Sequence, residues 1–230
     1  TTAISGNNTI TFSSLSDGTY SDCTINVTDT EGNISSTHTI TSFEIDSSSA
    51  TLTEITSVTT PTNDSTPSYT FSSDEAGTIS YGGSCSSTTV TAISGNNSIT
   101  LSFLDDGTYS DCTISVDDSS GNTVTLTMSS FSIDTTVPTL TEVTAVTSST
   151  SDSTPDYIFS SDEAGTISYG GSCSSSTTTA ISGNNTITLS SLSDATYSDC
   201  TISVTDNAGN TSSTLAMTSF NIRTSTSIQM

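Results

Sequence analysis

Ser72-Ser-Asp-Glu-Ala-Gly-Thr-Ile-Ser-Tyr-Gly-Gly-Ser-Cys85 returns unchanged, 88 positions later, as Ser160 to Cys173. Within the block Ile79 and Tyr81 alternate with Thr78 and Ser80, between an Asp-Glu-Ala-Gly loop and a Gly-Gly stop. That is the period-two pattern of a short β-strand, and nothing nearby has helical spacing. Working outward, Cys112 recurs as Cys200 at the same offset, and Cys23 precedes Cys112 by 89 positions. A period this long matches one small domain per repeat rather than a helical hairpin or a leucine-rich unit. The expected organisation is 1–46 as the C-terminal half of a repeat, 47–134 and 135–223 as complete repeats, and 224–230 as a divergent tail. Since Thr2 to Thr9 matches Thr91 to Ser98, the chain reads as part of a longer array.

The composition bounds what such domains can do. Of 230 residues only 30% are hydrophobic, and Ser and Thr dominate. The regular spacing of Tyr, Phe, Ile and Val nevertheless argues for lean cores rather than disorder. There are 24 acidic residues against one basic residue, Arg223, with no Lys, for a net charge of −23. Nucleic acid and anionic membrane are thereby excluded as expected partners, because both need a cationic footprint. Without Lys, isopeptide cross-links to Asn cannot form within the chain. No signal peptide or transmembrane run is visible.

The repeat 47–134 predicts seven strands. Leu52–Val58 is the first, followed by a turn at Pro61–Pro67, and Tyr69 with Phe71 marks the second. Thr78–Tyr81 and Thr88–Ile93 are the third and fourth. Gly95-Asn96-Asn97 predicts a hairpin turn into Ser98–Phe103. Asp106-Gly107 turns into a sixth strand, Tyr109–Val116, and Gly121-Asn122 into a seventh, Val124–Met128, ending near Phe131–Ile133. Strands at roughly ten-residue intervals predict an all-β fold of tandem seven-stranded antiparallel Ig-like β-sandwiches.

Leu104-Asp-Asp-Gly-Thr-Tyr109, with Leu15 to Tyr20 and Leu192 to Tyr197, resembles the tyrosine corner of Ig-like and fibronectin-like domains. Tyr20, Tyr109 and Tyr197 are the corner residues. Asp206-Asn-Ala-Gly-Asn210 and Ile133-Asp-Thr-Thr-Val-Pro-Thr139 resemble the loop and linker of tandem bacterial Ig-like repeats. Ala50 departs from that linker where Pro138 keeps it, and Arg223 replaces the acid of Asp46 and Asp134.

In the strand path this resemblance implies, Cys85 and Cys112 fall at one pole of a sheet, as do Cys173 and Cys200, close enough for one disulfide per repeat. Free buried thiols are the alternative. Tyr109 has the opposite parity to Cys112, Ile114 and Val116, which predicts a β-bulge at Ser110-Asp111. Cys23 is unpaired within 1–230, and its expected partner lies upstream. Disulfides imply an oxidising, extracellular or cell-surface location.

The same path gathers acids at the other pole: Asp46, Asp74, Glu75, Asp117, Asp118 and Asn122 in the middle repeat, and Asp134, Asp162, Glu163, Asp206 and Asn210 in the last. The resemblance implies Ca²⁺ at such junctions, and oxygen ligands suit that hard cation. The other reading is a turn in which Asp and Asn cap backbone groups. Of several Asn-x-Ser/Thr triplets most are expected by chance. His38 fills the slot of Leu126 and Leu215, and no Ser–His–Asp or paired-carboxylate arrangement recurs, so no enzyme is expected. The family resemblance implies a structural stalk of a giant secreted adhesin or surface filament, in contact with neighbouring repeats of the same chain. The alternatives are multivalent glycan or cell-surface binding, and self-association into a fibre.

Overall fold

The computed structural model describes residues 1–224; residues 225–230 of the expected divergent tail lie outside the described residues. The first strands are β1 (Gly18–Tyr20), β2 (Thr24–Ile25), β3 (His38–Thr39) and β4 (Phe43–Ile45). The middle repeat holds β5 (Leu52–Thr56), β6 (Ser68–Ser73), β7 (Gly77–Gly82), β8 (Thr91–Ala92), β9 (Gly95–Thr100), β10 (Gly107–Tyr109), β11 (Thr113–Asp117), β12 (Thr123–Thr127) and β13 (Phe131–Ile133). The last repeat holds β14 (Leu140–Thr144), β15 (Ser149–Thr150), β16 (Asp156–Ser161), β17 (Gly165–Gly170) and β18 (Thr179–Ala180). It continues with β19 (Gly183–Thr188), β20 (Ala195–Tyr197), β21 (Thr201–Thr205), β22 (Leu215–Ala216) and β23 (Phe220–Ile222). Among the described residues there is no helix.

The chain divides into two compact units. One comprises Thr1–Ser57, Tyr69–Ile99 and Asp111–Met128; the other comprises Val58–Ser68, Thr100–Ser110 and the chain from Ser129 on. In the second unit the sheets β14-β16-β19 and β18-β17-β21-β22 form the two layers of a sandwich. Tyr157 and Phe159 of β16, Ile187 of β19, Ile167 of β17, and Ile202 and Val204 of β21 share one core between the layers. They can do so because alternate side chains of a strand point to one face. The first unit repeats the plan with β5-β6-β9 and β12-β11-β7-β8, burying Tyr69, Phe71, Ile79, Ile99, Ile114 and Val116.

The seven-strand path is present, with its strands divided differently from the expectation. Instead of one sixth strand with a bulge at Ser110-Asp111, the chain breaks after Tyr109 and resumes at Thr113. β10 pairs with β13, whereas β11 pairs with β7 and β12. The parity change is therefore a change of sheet. The seventh strand splits in the same way into β12 and β13. Pro61–Pro67 is more than a turn, because Thr62 bridges Ile133 in parallel. Its counterpart β15 likewise runs parallel to β23, whereas the other strand pairs among the described residues are antiparallel. In the last repeat the chain after β14 thus leaves the β14-β16-β19 sheet and joins a separate sheet, β15-β23-β20.

At Gly95-Asn96-Asn97 the turn comes one step earlier and Gly95 already opens β9. The Asn97 amide accepts from Ile93 N–H at 2.8 Å and donates to the Ile93 and Gly95 carbonyls at 2.9 and 3.0 Å, so it closes the turn from inside the strand. Gly95, at φ 109°, adopts a backbone angle that other residues avoid.

Candidate functional site

Asp206 shows how the acidic loop is built. Its carboxylate accepts from the backbone N–H of Ala208, Gly209 and Asn210 at 2.8, 2.7 and 2.9 Å. The Asn210 amide donates to the other carboxylate oxygen and to the Asp134 carbonyl, each at 2.8 Å. Gly209, at φ 100°, lets the loop turn back. Asp118 repeats the arrangement with Ser120 N–H, Asn122 N–H and the Asn122 amide, which also reaches the Asp46 carbonyl at 3.3 Å. Asp29 with Asn33 makes a third copy. Asp-x-x-Gly-Asn is thus a self-capped turn, and in the two later copies its Asn also holds the linker acid's backbone.

Beside each of these later turns three carboxylates converge. Asp46, Glu75 and Asp118 bring one oxygen each within 4.8 Å of one another, and so do Asp134, Glu163 and Asp206. Burial first, then the charges of Asp134, Asp206 and Asp162, push the Glu163 carboxyl above the ordinary glutamate range. Burial and Asp46, Asp74 and Asp118 do the same to Glu75. Asp118 moves the other way, held low by the Asn122 amide and the loop N–H groups against the effect of burial. At Asp206 burial is the largest influence and opposes ionisation, but Asn210 and the loop N–H groups together outweigh it.

The remaining predicted acids serve elsewhere. Asp74 and Asp162 turn to the strand that follows the linker, accepting Thr51 N–H and Thr139 N–H at 2.6 Å. Asp117 accepts a hydrogen bond from the Thr123 hydroxyl. Asn122 and Asn210 approach the acids as amide donors.

The cysteines pair as Cys85–Cys112 and Cys173–Cys200, each with Cα atoms 5.2 Å apart, and Cys23 is free. The partner geometry comes from Gly83 and Gly171, both at φ 71°. A Cβ at Gly83 would lie 2.0 Å from the Asp111 carbonyl oxygen. Ser84 and Ser172 donate to the Asp111 and Asp199 carboxylates at 2.9 and 2.8 Å. The Gly-Gly-Ser-Cys recurrence is the sequence signal for this, since only its second Gly lets the backbones meet beside the bridge.

Tyr20, Tyr109 and Tyr197 each donate from the hydroxyl to a carbonyl four residues upstream, those of Ser16, Asp105 and Ser193, at 2.8, 2.8 and 3.0 Å. Each ring stacks on a Phe of the paired strand (Phe43, Phe131, Phe220) with centroids 5.4 Å apart.

One set of residues escaped the sequence reading. The aspartate three before each corner Tyr grips the chain just past the linker position. Asp106 accepts Thr135 N–H and hydroxyl at 2.9 and 2.8 Å and the Thr136 hydroxyl at 2.9 Å. Asp17 holds Ser47 and Ser48 in the same way, and Asp194 holds Thr224. The available signal was an Asp before every Tyr corner matched by a Ser or Thr after Asp46, Asp134 and Arg223.

No family model and no curated protein matches the chain. Among solved structures it is similar to the fibronectin(III)-like modules of Clostridium thermocellum CbhA, with a TM-score of 0.41 and 9% identity over 75% of this chain and 94% of that one. What makes the chain a sandwich is its own strand pairing.

Proposed function

We propose that the chain is a structural spacer of an extracellular protein, the stalk of an adhesin or surface filament, carrying load between its ends. The observation that supports this most directly is the repeated grip on the chain path. Each of the three repeats has a Tyr corner and an Asp clamp on the residues that follow, and the two later repeats add a disulfide beneath. Clamped junctions limit bending, and a disulfide limits how far a domain yields under tension. The two disulfides are compatible with an oxidising, extracellular setting.

Single-molecule stretching tests the spacer reading. With disulfides intact, the segment spanned by each bridge, 27 residues apart in sequence, stays closed after its domain unfolds. Reduction should lengthen each complete repeat's unfolding step by about 90 Å, from ~3.4 Å per extended residue. Repeats that give no resolvable step at forces that unfold ordinary sandwich domains would count against a load-bearing role.

Ca²⁺ belongs to the same proposal. Asp134, Glu163 and Asp206, and their counterparts Asp46, Glu75 and Asp118, would hold it, and the cation would supply the positive charge these like-charged groups lack. Millimolar Ca²⁺ should raise the melting temperature by several degrees over chelator, through preferential binding to the folded state. The double variant Glu75→Gln with Glu163→Gln should lose most of that increment. An identical melt in Ca²⁺ and chelator overturns the assignment.

A further inference from the structure

In a sandwich pulled at its two ends, the bonds between the first and the last strand decide how it yields. In the last repeat β15 runs parallel to β23, with Asn221 N–H donating to the Ser148 carbonyl at 3.0 Å and Arg223 N–H to the Thr150 carbonyl at 2.9 Å. Ahead of that pair, at the register shift where the chain begins to leave β16, stands Glu142. Its carboxylate accepts the Thr218 N–H at 2.9 Å and the Thr218 hydroxyl at 2.6 Å, across 76 positions of sequence. Thr218 lies between β22 and β23. One side chain of the entering strand thus grips the approach to the leaving strand through both donors of a single residue. The Tyr157 hydroxyl, fully buried and with no other acceptor among the described residues, faces the same carboxylate from β16. In the middle repeat Glu54 occupies the same register shift and accepts the Tyr69 hydroxyl at 2.9 Å, and Ser129 stands where Thr218 does.

We propose that Glu142 is a proton-operated latch between the first and last strands of the repeat: ionised, it holds Thr218, and protonated, it lets go. An ionised carboxylate only accepts, so the two donors of Thr218 and the Tyr157 hydroxyl can all be satisfied by it. A proton turns one oxygen into a donor that faces other donors, and the charge that strengthens the remaining bonds is gone. Burial is the largest influence on Glu142 and opposes ionisation, but Thr218 and Tyr157 outweigh it and hold the carboxyl below the ordinary glutamate range. Burial and Glu142 push the Tyr157 hydroxyl up, so it stays a donor throughout. A carboxyl held below its unfolded value of 4.5 contributes stability that is present above that pH. That stability is lost as pH falls through the folded value, so the latch is closed at neutral pH and opens in acid. Its mechanical consequence rests on the spacer reading, whereas the latch itself does not.

Amide hydrogen exchange of the whole chain, with both disulfides formed, reads the latch at Thr218. The control is the adjacent Met217 amide, which donates to the Cys200 carbonyl rather than to a carboxylate and so reports an intact fold. Glu142→Gln should speed Thr218 exchange at neutral pH by about 10–100-fold, the range for hydrogen bonds to a charged acceptor, and leave Met217 unchanged. In the unaltered chain Thr218 protection, corrected for the intrinsic pH dependence of exchange, should fall below pH 4.5 ahead of Met217. The variant should show no such step. Equal Thr218 protection in the two proteins at neutral pH would overturn the latch. So would an acid loss at Thr218 that Met217 shares in step. Stretching separates the latch from the spacer reading. Glu142→Gln should lower the unfolding force of the last repeat, with the middle repeat and its Glu54 as reference. Faster exchange at an unchanged force upholds the latch and counts against the load-bearing reading instead.

Discussion

Replacing Cys173 and Cys200 together by Ser is expected to lower the stability of the last repeat by about 3.5 kcal/mol. The bridge spans 27 residues, running from the end of β17 through β18, β19 and β20 to the start of β21. Without it the unfolded chain regains the freedom of a loop of that size, at roughly 12 cal/mol/K in the chain-entropy model. The native state loses little beyond the bond. Both sulfur-bearing residues are buried, Ser fills nearly the same volume, and the backbone bond from Met217 N–H to the Cys200 carbonyl does not depend on the side chain. A lean domain has a net stability of only about 5–15 kcal/mol, so this is a large share. The midpoint should fall on the order of 15 °C or more, at 4–8 °C per kcal/mol for a domain of this size. Calorimetry of the oxidised chain against the double variant measures it, with the Cys85–Cys112 repeat as internal reference. A shift below about 3 °C would mean that the bridge closes a loop the unfolded state already keeps closed.

The second large effect separates two identical stretches of sequence. Ile187→Ala is expected to cost about 2–5 kcal/mol, because a fully buried Ile side chain is lost and its neighbours cannot fully collapse into the space. Ile10→Ala, at the same place in the same hexapeptide, should stay within about 0.5 kcal/mol, the range of exposed substitutions. Denaturant titration of both variants, followed by a probe in each segment, decides the matter. Equal losses would show that Ile10 is covered in solution, and then Thr1–Asp46 would need a different description.

Much of the fold was legible because it is local. Alternation around Ile79 and Tyr81 gave the strands of both repeats, and Asp-x-x-Gly-Asn gave a turn that closes through its own side chains. Asn8 makes the turn bonds of Asn97 and Asn185, at 2.8 Å to Ile4 N–H, even where no strand follows. The acidic pole was legible in part. Asp46, Glu75 and Asp118 do meet, but Asp74 and Asp162 turn to Thr51 and Thr139, a choice set by which backbone N–H lies nearest after folding. The clamp of Asp106 on Thr135 and Thr136 bridges about thirty positions of sequence, and no short motif announces it.

The opening block and its return thus determined by themselves the period, the strands, the turns and the positions of the paired cysteines, because spacing and residue type act over a few neighbours. The tertiary structure alone decided where a strand changes sheets, which acids converge, and whether Gly-Asn-Asn-Thr-Ile-Thr becomes a strand. A β-strand's hydrogen bonds and buried face belong to its neighbour as much as to itself. The same six residues are therefore β19 beside β16 and remain unpaired coil at Gly6–Thr11.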